Sequence, residues 1–227
     1  MPTRTPWTCV LWDVDGTIVD ASDGILRRLT ITLEHFGRRP PTRAELVHWI
    51  GPPMYDSFQA NVGMTPTEAT EAVAFYRTLG KADGYTTGAK LFAGVAELIH
   101  ELSDQGIPQA TASSKPEIQV DALMDHFGLA PCFTTIVGAT LDEKTLSAKS
   151  DIVAEALRRL EVAGVDVSRP VLIGDRHHDV EGGAENGVPV VFVRWGFSWP
   201  HEADGAQAAV ETVDQLRSLL LVEDADA

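Results

Sequence analysis

The sequence predicts an α/β fold, in which a Rossmann-like, doubly wound parallel sheet carries a small α-helical cap domain inserted after the first strand. Short apolar runs of strand length alternate with helical patterns along most of the chain, which is the pattern of parallel βαβ units. Residues 22–91 interrupt this alternation with several helical stripes and no good strand. A chain of 227 residues is long enough for one core domain with a modest insertion.

Five apolar runs are predicted as core strands. In chain order they are Thr8–Trp12, Ile107–Ala112, Thr134–Val137, Val171–Ile173 and Val188–Val193. Gly138 and Gly174 follow the third and fourth runs and are expected to end them. Pro189 lies near the start of the last run, where a strand tolerates proline best.

Apolar side chains between these runs recur at helical spacing. Val95, Leu98, Ile99 and Leu102 lie at positions i, i+3, i+4 and i+7, which places them on one face of a helix. Similar patterns cover residues 120–127 and 152–160 in the core, and 25–36, 46–50, 55–62 and 69–79 in the insertion. The sequence therefore assigns residues 1–20 and 92–227 to the core domain and residues 21–91 to the helical cap domain.

Composition and charge exclude several classes of protein. Hydrophobic residues make up 44% and charged residues 22% of the chain, which excludes disorder as the main state. The 33 acidic and 18 basic residues give a net charge of −15, which argues against a nucleic-acid polymer as partner. A small anionic substrate remains compatible with this charge, because a local site with a metal ion can override the average field.

The chain is expected to be cytoplasmic. No segment approaches the roughly 18 apolar residues of a membrane span, and the first residues lack the apolar stretch and small-residue cleavage site of a signal peptide. Cys9 and Cys132 are too few for a disulfide framework. We expect a monomer or a homodimer, because the sequence does not specify the oligomeric state.

The strongest chemical signal is the segment Asp-Val-Asp-Gly-Thr at residues 13–17. It begins where the first predicted strand ends, and open α/β sheets bind ligands beyond the carboxyl ends of their strands. Asp13 and Asp15 have strand spacing, so both side chains can point into one pocket. Gly16 permits a sharp backbone exit. Two close carboxylates repel each other unless a cation or a proton compensates, and Mg²⁺ prefers such oxygen ligands.

A second acidic pair follows the fourth predicted strand. Asp175 ends that strand, and Asp179 opens the next helix, where it can also serve as the helix N-cap. Strands one and four can be neighbours in such a sheet, which would bring Asp175 close to Asp13. The adjacent His177 and His178 are expected to point in different directions and to form no chelate.

Hydroxyl and lysine side chains suited to a phosphate occur elsewhere at predicted strand and helix ends. Ser113 and Ser114 lie at the end of the second strand, where backbone N–H groups at a helix start bind phosphate; the same segment is also an ordinary helix start. A lysine is needed to balance the negative charge. Lys149 precedes an amphipathic helix, and Lys144 and Lys115 compete with it for this role.

Together these segments resemble the haloacid dehalogenase-like hydrolase superfamily over nearly the whole chain. Residues 13–17, followed by Asp20, resemble the first motif of the family, and residues 174–179 resemble the fourth. Ser113 matches the second motif and Lys149 the loosely patterned third. The helical insertion is similar to the small cap of the phosphoglycolate-phosphatase-like branch, although residues 92–95 read Phe-Ala-Gly-Val where that branch has Tyr-Pro-Gly-Val.

The resemblance implies a role for each acidic residue. Asp13 would be the nucleophile that forms an aspartyl-phosphate, and Asp15 would be the general acid and base. Mg²⁺ would be held by the Asp13 carboxylate, the Asp15 backbone carbonyl and Asp175. Asp179 would hold a metal-bound water or orient Lys149.

The resemblance also implies which residues meet the substrate. Thr17, Ser113, Ser114 and Lys149 would surround the phosphate. Arg77, in the cap, would suit a carboxylate or a second phosphate on the leaving group; it is equally compatible with a surface position on a cap helix.

Three functions remain open at the level of sequence. The first is a Mg²⁺-dependent phosphatase for a small phosphomonoester such as phosphoglycolate or a nucleotide monophosphate. The second is a sugar phosphomutase of the same superfamily, and the third is a catalytically silent binding protein. Asp15 favours phosphoryl transfer, because the dehalogenase members of the superfamily lack an acidic residue at this position and a pure binding protein has no need of it.

Overall fold

The computed structural model describes residues 3–141 and 145–223. The strands are β1 Thr3–Arg4, β2 Cys9–Trp12, β3 Val19–Asp20, β4 Lys90–Leu91, β5 Gln109–Thr111, β6 Ser113–Pro116, β7 Gly138–Ala139, β8 Pro170–Gly174, β9 Val190–Val193, β10 Ala208–Val210 and β11 Val222–Glu223. The helices are α1 Ser22–His35, α2 Arg43–Leu46, α3 Met54–Val62, α4 Pro66–Asp83, α5 Val95–Asp104, α6 Glu117–His126, α7 Lys149–Val162, α8 His177–Glu185 and α9 Val213–Leu220. No helix in these ranges is both long and apolar enough to span a bilayer.

The central sheet has five parallel strands in the order β10-β9-β8-β2-β5. The first strand of the sheet, β2, therefore lies between β8 and β5, so the chain winds outward in both directions from β2. Ligands of such sheets bind at this switch point, beyond the carboxyl ends of the strands. The predicted doubly wound fold is confirmed, and so is the predicted contact between the first strand and the strand that precedes Asp175.

Both faces of the sheet are covered, and the strand residues alternate between two separate cores. Val10 and Trp12 belong to one buried cluster, whereas Cys9 and Leu11 belong to the other. The alternation follows from the two-residue period of a strand. It explains why these strands read as continuous apolar runs in the sequence.

Helices α1 to α4 lie between two short strands that pair with each other. β3 and β4 form an antiparallel ribbon in which Val19 faces Leu91 and Asp20 faces Lys90. The chain enters this helical segment after β3 and leaves it at β4. The sequence pattern missed both strands, because two residues are too few to show a period.

The third predicted strand differs from the structure. Residues 134–137 contribute only an isolated bridge between Ala110 and Thr135, and Gly138 lies inside β7 rather than after a strand. The hydroxyl of Thr111 accepts from Val137 N at 2.8 Å and donates to Val137 O at 3.0 Å, which replaces ladder bonds. A Cβ on residue 138 would lie 2.6 Å from Lys115 O, so glycine permits the close approach of β7 to β6.

Candidate active site

Three buried carboxylates meet at the carboxyl ends of β2 and β8. Asp13 directly follows β2, Asp175 directly follows β8, and Asp179 lies in the first turn of α8. Carboxylate oxygens of the three residues lie within 4.8 Å of one another, and none of the residues is more than 4% exposed. The predicted meeting of Asp13 and Asp175 is therefore present in the structure, because β2 and β8 are adjacent parallel strands.

The loop after β2 is a tight turn that leaves space for Asp175. Gly16 has φ +93°, a conformation in which residues with a Cβ are strained. A Cβ at this position would also lie 2.3 Å from Asp175 Oδ2. The Thr17 hydroxyl donates to Asp175 Oδ1 at 3.4 Å, so its contact is with the acidic cluster. Glycine at position 16 is thus required both by the turn and by the carboxylate beside it.

The loop that follows β9 holds the other side of Asp175. Phe197 N donates to Asp175 Oδ2 at 2.6 Å, and a Cβ on Gly196 would lie 2.2 Å from the same oxygen. Burial, and then the nearby Asp13 and Asp179, raise the pKa of Asp175 well above its ordinary value, although the Phe197 N–H opposes this. The sequence pattern gave no signal for this contact, because it is made by the backbone.

Lys149 is the cation of the acidic cluster. Its Nζ lies 2.7 Å from Asp13 Oδ1 and 2.6 Å from Asp179 Oδ1, and it donates to Ala112 O at 2.7 Å. Burial disfavours the charged ammonium, but the two carboxylates outweigh this effect and raise the pKa of Lys149. A Cβ on Gly182 would lie 2.7 Å from Lys149 Cγ, so the packing of α7 on α8 at this glycine sets the position of the lysine. Lys144 lies outside the described residues.

Lys115 is a second lysine that pairs with a carboxylate of the site. Its Nζ lies 2.6 Å from Asp15 Oδ2, and both side chains are at least nine-tenths buried. Burial raises the pKa of Asp15, while Lys115 opposes the shift. Asp15 Oδ1 is buried and has no hydrogen-bond partner among residues 3–141 and 145–223. The sequence considered both Lys115 and Lys149 for the charge-balancing lysine, and the structure gives each of them a carboxylate partner.

The two predicted serines lie at the same edge of the sheet. Ser113 is buried, and its Oγ accepts from Lys115 N at 3.3 Å, which fixes the turn after β5. Ser114 lines a cavity between α1–α4 and the sheet, together with Asp15, Lys115 and Arg77. The structure therefore brings Arg77 to the same cavity as Asp15.

An ion pair that the sequence did not indicate joins the site to the inserted helices. Arg176 Nε donates to Glu202 Oε2 at 2.7 Å and Arg176 Nη2 to Glu202 Oε1 at 3.2 Å, and both side chains are buried. Arg176 Nη1 also donates to the backbone oxygens of His48 and Ile50. Burial works against ionisation of Glu202, but Arg176 and the N–H of His177 together lower its pKa to about 2. The one sequence feature that could have indicated this ion pair is the arginine directly after Asp175.

The prediction that the adjacent histidines diverge is wrong. The rings of His177 and His178 lie 3.8 Å apart, and their nitrogens approach a Glu181 carboxylate oxygen. However, His177 Nδ1 lies 3.1 Å from Glu202 Oε2, so this histidine already contacts the ion pair.

Buried carboxylates and lysines lie at the switch point of the doubly wound sheet, where proteins of this fold bind their ligands. The fold and this cluster place the chain among the α/β proteins with a ligand site at the carboxyl edge of the sheet. The chain belongs to the haloacid dehalogenase-like hydrolase family, whose sequence profile matches residues 10–193. The family predicted from the motifs is therefore confirmed.

Relatives with different activities in their names align along most of this chain. The tyrosine-protein kinase PtkA of Mycobacterium tuberculosis is 34% identical over 215 residues, which cover 93% of this chain and 72% of that protein. A 5'-nucleotidase of Pseudomonas aeruginosa is 33% identical over 188 residues, with 83% of each chain covered. The crystal structure of a predicted phosphatase from Clostridium acetobutylicum has a TM-score of 0.86 and 33% identity, covering 93% of this chain and 97% of that one. The predicted enzyme class, a phosphatase of this family, is confirmed.

Proposed function

We propose that this protein is a Mg²⁺-dependent phosphatase that hydrolyses a small phosphomonoester through an aspartyl-phosphate on Asp13. The observation that carries the proposal is the buried cluster of Asp13, Asp175 and Asp179 around Lys149, directly beside the Asp15–Lys115 pair. A site of this kind combines a carboxylate nucleophile, a second carboxyl group for proton transfer and fixed positive charge.

The donor set of the cluster fits Mg²⁺. The cluster has three buried carboxylates and one ammonium group, which contacts two of them. It therefore has an excess of negative charge that a divalent cation would balance. All of its acidic donors are oxygens, which Mg²⁺ prefers. We assign the ion to Asp13, Asp175 and the backbone carbonyl of Asp15. When bound, it would neutralise charge on the phosphoryl oxygens.

In the proposed reaction, Asp13 is the nucleophile and Asp15 transfers the protons. Lys149 contacts Asp13 Oδ1, so we assign attack on phosphorus to Oδ2. The phosphorus–oxygen bond to the leaving group breaks as the new bond forms, and protonated Asp15 donates its proton to the departing oxygen. Water then attacks the aspartyl-phosphate and gives a proton to Asp15. Inorganic phosphate leaves, and the Asp13 carboxylate is restored.

The remaining site residues orient the phosphate or the cluster. We assign the phosphate to Ser113 and Ser114, which follow β5, and to Lys149, which contacts Asp13. The Thr17 hydroxyl donates to Asp175, so we assign Thr17 to positioning Asp175 in addition to the expected phosphate contact. Asp179 would orient Lys149, from which it lies 2.6 Å.

We propose that residues 21–91 act as a cap that covers the leaving group and excludes bulk water. The cavity that holds Asp15 is lined on the other side by this segment, including Arg77. Arg77 would then face the leaving group. The paired strands β3 and β4 are the two chain crossings between cap and core, and the division at residues 20 and 92 follows them.

The test is release of inorganic phosphate from a panel of phosphomonoesters, with Mg²⁺ or with a chelator. The panel comprises p-nitrophenyl phosphate, 2-phosphoglycolate, nucleoside monophosphates and a hexose 1-phosphate, the last also followed for conversion to the 6-phosphate. Asp13→Asn should abolish turnover, while Asp104→Asn, an exposed site, should leave it unchanged. Full turnover by folded Asp13→Asn would contradict the proposal, and formation of the 6-phosphate would favour a phosphomutase.

The similarity to a protein named a tyrosine kinase favours one second candidate, transfer of a phosphoryl group to a tyrosine hydroxyl. Incubation with γ-labelled ATP and a tyrosine-containing peptide distinguishes the two functions. Label in the peptide supports the kinase, whereas an unlabelled peptide together with phosphate release from the phosphomonoester panel supports hydrolysis.

We further propose a cytoplasmic location and a small-molecule substrate, acted on by a monomer or a homodimer. Cys9 and Cys132 are both free thiols, and Cys9 is buried, as suits a reducing compartment. The net charge of −15 makes a nucleic-acid polymer an unfavourable partner.

A further inference from the structure

The first turn of α8 brings together two histidines and a glutamate. Glu181 follows His177 by four residues and His178 by three, and both spacings make neighbours on the surface of a helix. One ligand atom from each of these side chains lies within 4.8 Å of the others, and the two imidazole rings are 3.8 Å apart. The cluster therefore offers two nitrogens and one carboxylate oxygen to a single ion.

These donors differ in kind from those of the acidic cluster. Asp13, Asp175 and Asp179 offer only oxygens, which suit Mg²⁺. Imidazole nitrogen suits zinc and other late transition metals. Two histidines and one glutamate occur together as ligands of Zn²⁺ in zinc enzymes, where the fourth position is left to water or substrate. The two clusters should therefore select different cations, although both draw on the first turn of α8.

Glu202 holds His177 as the outer contacts of a metal site hold a ligand. Its Oε2 lies 3.1 Å from His177 Nδ1 and accepts from His177 N at 3.0 Å. A histidine that binds a metal through one ring nitrogen almost always donates a hydrogen bond from the other, often to a carboxylate. The contact with Glu202 occupies Nδ1 in this way, which leaves Nε2 for an ion. Because Arg176 fixes Glu202 in turn, the imidazole is oriented before an ion arrives.

An ion can reach this cluster from solvent. The side chains of the two histidines are 40% and 37% exposed, so neither imidazole is sealed in the core. His178 and Glu181 also line a cavity to which Asp56 and Glu185 contribute further carboxylates. Lys149 lines it too, but its ammonium is paired with two carboxylates of the acidic cluster. The remaining negative charge raises the local concentration of cations.

We propose that His177, His178 and Glu181 form a second metal site, which binds Zn²⁺ and is distinct from the Mg²⁺ cluster. This inference concerns cation binding and does not depend on the phosphatase function proposed above. Glu202, which contacts His177, belongs to the ion pair that joins the sheet to the inserted helices. Bound Zn²⁺ would fix His177 against Glu202 and so stabilise that connection.

The experiment is calorimetric titration of Zn²⁺ into the full chain with Mg²⁺ in large excess, together with thermal unfolding. The wild type should bind Zn²⁺ at this site and gain in Tm. His178→Asn and Glu181→Gln should each weaken that binding by at least about tenfold, because the loss of even an outer contact costs about 10- to 100-fold in metal affinity. Asp175→Asn should keep this ion, since Asp175 belongs to the other cluster.

The matched controls are His126→Asn and Glu185→Gln, which remove an exposed imidazole and an exposed carboxylate from outside the cluster. Both should bind Zn²⁺ like the wild type. Zn²⁺ binding that survives in His178→Asn and is lost in Asp175→Asn would place the ion in the acidic cluster and overturn the inference. Absence of Zn²⁺ binding in the presence of Mg²⁺ would overturn it as well.

Anomalous diffraction at the zinc edge from wild-type crystals locates the ion without any variant, so a failure of a variant to fold does not prevent the test. A peak between the two histidines and Glu181 supports the site. A peak at Asp13 alone contradicts it.

Discussion

Replacing Asp175 with asparagine should stabilise the protein in the absence of Mg²⁺ while removing its response to the ion. Asparagine has nearly the same shape, so it fits beside Gly16 and Gly196, and its carbonyl oxygen can still accept from Phe197 N. What the substitution removes is one of three negative charges whose oxygens lie within 4.8 Å of one another. The effect on stability is therefore an electrostatic one.

The magnitude follows from this spacing. Two unit charges at the 4.8 Å limit of this spacing repel by about 3.5 kcal/mol at an effective dielectric constant of about 20. Lys149 offsets part of this repulsion, since its ammonium contacts Asp13 and Asp179. We expect a gain of roughly 1–2 kcal/mol in the free energy of unfolding, which corresponds to a rise in Tm of about 2–8 °C for a chain of this size.

The gain should depend on pH in a defined direction. Burial raises the pKa of Asp175 in the folded protein above its ordinary value of 3.8. The carboxyl is then uncharged in the folded state at low pH, and its unfavourable charge is complete only above the raised pKa. The difference in Tm between Asp175→Asn and the wild type should consequently be larger at pH 8 than at pH 5.

The assay is thermal unfolding at the two pH values, with EDTA or with 10-fold steps of Mg²⁺ concentration. The wild type should gain stability with Mg²⁺, and Asp175→Asn should lose most of that gain. Asp104→Asn, on the surface, is the control for a change of one net charge. A lower Tm of Asp175→Asn in EDTA, or a difference that does not grow with pH, would refute the electrostatic reasoning.

Three further predictions concern other contacts of the site. Glu202→Gln weakens the buried pair with Arg176 and should lower the free energy of unfolding by about 3 kcal/mol. The pKa of Glu202 is depressed to about 2. In urea unfolding, the difference in free energy from the wild type should therefore reach its full size above pH 4.5 and vanish as the pH falls toward 2. Gly16→Ala should abolish the Mg²⁺-dependent rise in Tm. Gly37 also has a positive φ but open space around it, so Gly37→Ala should lower the free energy of unfolding by only about 1 kcal/mol. Equal effects of the two changes would contradict the steric argument. Lys149→Met should reduce kcat for phosphate release by about a hundredfold or more, and an unchanged kcat would remove Lys149 from the mechanism.

Sequence patterns determined the fold class and the order of most strands and helices, because these patterns are local. The alternation of apolar runs and helical stripes predicted a doubly wound sheet, and the continuous apolar strand β2 predicted burial on both faces. The positions of Asp13 and Asp175 at strand ends predicted that they would meet, since the carboxyl ends of parallel neighbours share an edge. The strand expected at 134–137 was misplaced because the hydroxyl of Thr111 supplies bonds that a backbone ladder would otherwise make.

Tertiary structure alone decided which side chains pair across long stretches of chain. The ion pairs of Lys115 with Asp15 and of Arg176 with Glu202, and the hydrogen bond from Phe197 N to Asp175, each depend on where distant loops pack. Strand and helix periods specify which face of an element is apolar, but they do not specify where the end of a long charged side chain will find a partner. For that reason the sequence located the acidic cluster, and only the folded chain showed how its charges are balanced.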